Sequence, residues 1–152
     1  MAVHFQPDNY HTVIPYICVD GAAKAIDFYK EVFDAIELMR MPGPDGIVAH
    51  AEIKIGDATV MLADKCEKIQ DPHTIGGVSS MIMVYVPNVD ETIEKALARG
   101  ATIKQPATDQ FYGDRNGSFT DPFGHLWGVA THLEDLTQEE MAKRAAELHG
   151  QN

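Results

Sequence analysis

No stretch of this 152-residue sequence approaches the ~18 uninterrupted apolar residues of a bilayer-crossing helix, so no membrane span is expected. Cysteine is scarce. Cys18 and Cys66 form neither a CxxC nor a short metal-binding spacing, and they read as reduced thiols of a soluble, cytoplasmic protein. Basic residues are few: 12 Lys and Arg stand against 23 Asp and Glu, giving a net charge of −11 with no basic run. Nucleic acid and anionic membrane surfaces are therefore poor partners. The N-terminal stretch has no basic region leading into an apolar core, so no secretory signal is expected. There is no G-x-S-x-G and no glycine loop able to cradle a phosphate.

What is present is an ordinary globular composition, 45% hydrophobic and 23% charged, enough for one domain with a normal core. The chain also repeats itself. The apolar strand IPYICV (14–19) runs into a helical pattern, and MIMVYV (81–86) does the same 67 residues later. Gly56-Asp57 before ATVMLA and Gly124-His125 before LWGVATH repeat at an offset of 68. Such constancy points to two copies of one strand–helix–three-strand module.

Within the first copy Ala22, Ala25, Ile26, Tyr29, Val32 and Phe33 make one apolar helical stripe; Val89, Ile93, Ala96 and Leu97 do so in the second. Asn88 with Glu91, and Thr137 with Glu140, look like capping boxes, and Gly100 is a helix stop. Three strand-like segments follow each helix: ELMRM, IVAHAEIKI and ATVMLA, then ATIKQ, a less regular NGSFT stretch and LWGVATH. Turn chemistry joins them at residues 42–46, Gly56-Asp57, Gly113-Asp114 and Asp121-Pro122-Phe123-Gly124. The expected organisation is an N-terminal arm (1–11), a first module (12–63), a linker (64–78), a second module (79–133) and a C-terminal helix (134–152). Together they form one α+β domain.

Strand parity sorts side chains into two faces. Pro15, Ile17 and Val19, with Ala49, Ala51, Ile53 and Ile55, belong under the helices, as do Ile82, Val84, Val86 and Trp127. The other face carries Tyr16, Cys18, His50, Glu52, Lys54, Met61, Met81, Met83 and Tyr85. It is too mixed for a dry core and too apolar for open water, which suits either a ligand-lined cleft or a dimer interface.

AAKAIDFYKEVFDA, HAEIKIGDATVMLAD and GDRNGSFTDPFGHLWGVATH resemble the vicinal-oxygen-chelate superfamily, which includes glyoxalase I, bleomycin-resistance proteins, fosfomycin-resistance enzymes and extradiol dioxygenases. The likeness runs over residues 12–135 and is nearest to the phosphonate-operon-B-like branch. It implies paired βαβββ modules forming a curved mixed sheet around a cleft, a homodimer, and small-molecule binding. Enzymatic members hold a divalent metal at four strand positions, which fall here on Ile14, Met61, Met81 and Gly128. None is a donor for a hard or borderline ion, so no metal and no cofactor is expected.

His50 and Glu52 stand about 6–7 Å apart on one strand face. They are the candidate catalytic pair, as ligand-orienting groups or as a base; an internal ion pair with each other or with Lys54 is the plainer alternative. A displaced metal site would draw on His50, Glu52 and His132. Arg115 is placed either on a ligand anion or on Asp114 or Asp121, and Cys18 is an inert inward thiol. The expected ligand-binding set is thus Tyr16, Cys18, His50, Glu52, Met61, Met83, Tyr85 and Arg115. The leading function is metal-independent binding of a small, partly apolar molecule. The alternatives are a lyase, transferase or dioxygenase using the displaced site, and a dimeric interaction protein with a closed cleft.

Overall fold

The first apolar stripe folds as helix α1 (Ala22–Phe33), with all six of its stripe residues buried. Gly21 precedes it at φ 98° and has no side chain with which to cap it. Asp64 supplies the cap from a strand: Oδ1 accepts the Gly21 and Ala22 N–H groups at 2.8 Å each, and Oδ2 accepts that of Val48 at 2.7 Å. One carboxylate thereby satisfies helix-end donors that would otherwise lack partners. The computed structural model describes residues 3–150.

Around α1 stand β1 (Tyr16–Val19), β2 (Ile36–Pro42), β3 (Val48–Ile55) and β4 (Ala58–Asp64), in the sheet order β1-β4-β3-β2. β1 runs parallel to β4 and the remaining pairs are antiparallel. The second copy repeats the plan. β5 (Met81–Tyr85), α3 (Val89–Ala98), β6 (Thr102–Asp109), β7 (Asp114–Thr120) and β8 (Leu126–His132) give the order β5-β8-β7-β6, again with the outer strand parallel to the last. This is an α+β fold of two βαβββ modules, as the repeat predicted.

The chain packs as two units. One gathers the chain up to Ser79 together with Pro122–His125; the other gathers Ser80–Asp121 with Leu126 onward. In the first, Ile17, Val19, Ala51, Ile53, Val60 and Leu62 form the apolar floor under α1. The turn residue Phe123 joins that core, its ring 6.2 Å edge-on from Phe28 and 6.4 Å from Tyr29. In the second, Phe119, Trp127 and Val129 are fully buried beneath α3. The indole N–H of Trp127 donates to buried Asp121 at 2.8 Å.

Three local readings change. The segment expected as a bare linker holds a one-turn helix, α2 (Pro72–Ile75), whose fully buried cap Asp71 accepts the His73 and Thr74 N–H groups. The NGSFT stretch is regular: β7 pairs with β8 at seven consecutive positions. Within the second module the irregular strand is β6, where one register shift precedes Gln105 and another spans Pro106, which has no N–H to give a ladder. Asn88 caps α3 through the Glu91 N–H, and the C-terminal helix α4 (Gln138–His149) carries the complete capping box of Thr137 and Glu140.

Candidate functional site

On the face of the first sheet away from α1, one row of neighbouring strands aligns Tyr16 with Met61, Glu52 and Met39. Glu52 is only 6% exposed, so its carboxylate must find donors within the protein. The Tyr10 hydroxyl provides one, lying 2.6 Å from Oε1 and 2.7 Å from Oε2. His50 Nε2 lies 3.2 Å from Oε1, and His50 Nδ1 lies 2.9 Å from the Tyr16 hydroxyl. Four side chains thus form one chain of contacts, Tyr10–Glu52–His50–Tyr16. Glu52 beside Tyr10 holds the Tyr10 phenol above its ordinary value, and partial burial does the same for Tyr16.

The equivalent row of the second sheet aligns Met83 with Gly128 and Ser118, and the next aligns Tyr85 with Ala130 and Asn116. Where the first sheet has the thioether of Met61, the second has no side chain at all. A hollow of about 330 Å³ opens there, bounded by Met81, Met83, Gln105, Gln110, Tyr112, Asn116, Gly117, Ser118 and Gly128. The Met83 and Met81 sulfurs lie over Gly128, where an added Cβ would run into Met83 Sδ and come within 3.1 Å of Met81 Sδ. Gln110 donates to Asn116 at 3.0 Å, and Asn116 donates to the Tyr112 oxygen. The walls therefore carry thioethers, amides and hydroxyls with no carboxylate, imidazole or ammonium.

Further along the same face, the Tyr85 hydroxyl donates to Asp114 Oδ2 at 2.6 Å, and His132 bridges Asp114 Oδ1 at 2.7 Å and Asp135 Oδ1 at 2.8 Å. The Tyr85 and His132 hydrogen bonds hold the buried Asp114 carboxyl below its usual range, and in return Asp114, then Asp135, raise His132. Tyr85 is raised by donating to Asp114.

The sequence-predicted residues are thus distributed over separate arrays. Tyr16, His50, Glu52 and Met61 meet in the first sheet; Met83 lines the hollow of the second, and Tyr85 belongs to the Asp114 cluster. Arg115 is on the other face of β7, where it binds Asp90 through two nitrogens at 2.8 and 2.9 Å and Asp109 at 2.9 Å. These are different partners from Asp114 and Asp121, and they raise the guanidinium further. Cys18 is buried, donates its thiol to the Ile69 carbonyl at 3.4 Å, and burial pushes it up to about 11. That is the behaviour of a packing thiol. His125 points a ring nitrogen at the Cys18 carbonyl, 2.7 Å away.

Ile14, Met61, Met81 and Gly128 offer alkyl, thioether and nothing, so they do not fit a hard or borderline divalent ion. Among the described residues no group of three or more His, Cys, Asp or Glu is placed to hold a metal ion. His50 and Glu52 sit in one array, while His132 is held between two aspartates in another.

The model of the Glyoxalase/Bleomycin resistance protein/Dioxygenase superfamily matches residues 9–129. The chain belongs to that superfamily. An uncharacterized protein of Mycobacterium tuberculosis (strain ATCC 25618 / H37Rv) is 40% identical over 146 residues, covering 93% of this chain and 84% of the relative. Among solved superfamily-like folds, TioX from Micromonospora sp. ML1 is 28% identical with a TM-score of 0.63, covering 81% of this chain and 99% of its own. A putative 3-demethylubiquinone-9 3-methyltransferase, PhnB protein, from Bacillus cereus is 17% identical with a TM-score of 0.62, over 80% and 99%. At that identity it shares the fold alone. No helix among the described residues is long and apolar enough to cross a membrane.

Sequence reasoning missed Tyr10, Asp114, Asp135 and the amides of the hollow. Tyr10 reaches Glu52 across 42 positions, and no local pattern announces that. The Gly113-Asp114 pair reads as a turn, whereas Asp114 opens β7 opposite His132, a pairing visible only once the register is known.

Proposed function

We propose that this superfamily member binds a small, uncharged, partly apolar organic molecule in the hollow of its second sheet, without the metal of its enzymatic relatives. The observation that carries the reading is the 330 Å³ hollow itself, which falls within the ~300–1,000 Å³ range of ligand pockets. Its chemistry selects the ligand. Met81 and Met83 offer polarizable apolar surface, while Gln105, Tyr112 and Ser118 offer hydrogen bonds without charge. An anion would find no cation there and would meet a chain of net charge −11.

The working form is a homodimer, in line with the superfamily, whose members are often dimeric. Exposed Ile36 and Met41 on the first sheet and Tyr85 on the second supply apolar surface for such an interface.

The test is a thermal-shift screen of neutral metabolites and drugs against the full chain and Gly128→Leu, whose side chain would fill the hollow. A ligand at 100 times its dissociation constant adds ~2.7 kcal/mol to the wild type. The reading predicts a shift in the wild type that Gly128→Leu abolishes. No response from any neutral chemotype, or an equal response in the filled variant, would overturn it. Titration with Ni²⁺, Co²⁺ and Zn²⁺ separately checks the metal-free part, which stoichiometric tight binding would sink.

A further inference from the structure

The array on the first sheet has an order of its own. Tyr16 is half exposed, so its hydroxyl is open to a visiting molecule, while Glu52, at the other end, is buried. The Glu52 carboxylate accepts from Tyr10 at both oxygens, and an ionised carboxylate can only accept. The His50 nitrogen facing it, Nε2, therefore carries the proton, and Nδ1 presents a lone pair to the Tyr16 hydroxyl, which donates to it. A hydroxyl backed by an imidazole, which is oriented in turn by a buried carboxylate, is the arrangement that activates weak nucleophiles.

We propose that Tyr16, His50 and Glu52 form a proton relay that makes the Tyr16 oxygen a nucleophile toward uncharged acyl compounds, such as esters. Tyr16 Oη forms a bond to the acyl carbon as its proton passes to His50 Nδ1. The bond between the acyl carbon and the leaving oxygen breaks with its electron pair, and that oxygen takes the proton from the imidazolium. The products are an acyl ester of Tyr16 and a free alcohol, with His50 again neutral. Glu52 does not touch the substrate; it is a positioning residue that fixes the His50 tautomer and stabilises the transient imidazolium. Met61 and Met39, in the same row as Tyr16 and Glu52, give the acyl compound an apolar bed. Burial keeps the Tyr16 phenol protonated at neutral pH, so the imidazole is needed to remove that proton. The relay stands independently of the hollow in the second sheet.

p-Nitrophenyl acetate tests it on the full chain, with release of p-nitrophenolate followed by absorbance and the acetyl group located by peptide mass spectrometry. Tyr16 is expected to be acetylated ahead of the chain's other tyrosines. The rate should fall about 100-fold in His50→Gln, the lower end of what general-base catalysis supplies. Glu52→Gln, which keeps the shape, should slow the reaction and loosen the preference of His50 for the Nε2–H tautomer in ¹⁵N spectra. Labelling of Tyr16 no faster than of Tyr112, or at an unchanged rate in His50→Gln, would overturn the relay. If His50→Gln does not fold, ¹⁵N spectra of the wild type decide: a proton on Nε2 supports the relay and a proton on Nδ1 refutes it.

Discussion

Gly117 and Gly128 face opposite sides of the second sheet, and the same added methyl has different consequences at each. A Cβ on Gly117 would lie 2.7 Å from Ile93 Cδ1, 2.8 Å from the Gln105 carbonyl oxygen and 3.1 Å from the Ala107 nitrogen. Two of these three neighbours are β6 backbone, which cannot rotate away, so the strand must move. Overpacking of this kind costs about 1–3 kcal/mol, offset by about 0.4–1 kcal/mol from the stiffer unfolded chain. Gly117→Ala should therefore lose about 1–2 kcal/mol net, or roughly 2–8 °C of melting temperature for a chain of this size. At Gly128 the Cβ would meet Met83 Sδ, Met81 Sδ and Met83 Cε, all ends of flexible side chains. Gly128→Ala should stay within about 1 kcal/mol of the wild type, since rotations of Met83 relieve the clash. Paired thermal and urea unfolding of the two variants measures both. Gly117→Ala melting at the wild-type temperature, or Gly128→Ala being the more damaged, would refute the claim that β6 backbone makes the difference.

Trp127→Phe removes an indole donor to buried Asp121 and should cost about 0.5–1.5 kcal/mol for the lost hydrogen bond, measured by urea unfolding with far-ultraviolet circular dichroism. His132 is raised above its ordinary 6.5 in the folded state, so its stabilisation is complete below that value and is lost as pH rises through the folded-state value. Asp114, depressed below its ordinary 3.8, contributes in the opposite sense: fully above that value, with loss as pH falls through its folded-state value. Melting curves of wild type and His132→Gln should therefore differ most between about pH 4 and 6.5 and converge above; a gap widening toward alkaline pH would contradict this. Tyr10→Phe cuts both contacts to Glu52 and should speed proteolytic cleavage within residues 3–15, and unchanged cleavage would count against the arm being tethered there.

The fold was legible because periodicity writes it locally. Parity placed Ile17, Ala51, Ile53 and Trp127 beneath helices, where they are buried, and put Met81, Met83 and Tyr85 on the open face. Glycine and proline punctuation marked the turns, but punctuation misled at Asp114, which looks like a turn residue and functions as a strand residue. The candidate site was legible only in part. His50 and Glu52 share a strand, so their proximity follows from a two-residue spacing; Tyr16 adds to them only through the β1–β4–β3 register. Arg115 lies one residue from Asp114, and that single step put it on the helix-side face. The hollow depends on what Gly128 lacks, and a missing side chain is meaningful only beside the methionines that fold over it.

Phe123 is made late but packs early in the chain's order, against Phe28 and Tyr29. A ribosome that has released only the first 79 residues has therefore not yet delivered every ring that this core contains. Domains generally complete folding as units during synthesis, so the first unit must wait, with aromatic surface uncovered, until the chain has been extended past His125. For the same reason, cutting the gene at its visible midpoint would give a first fragment that lacks part of its own interior.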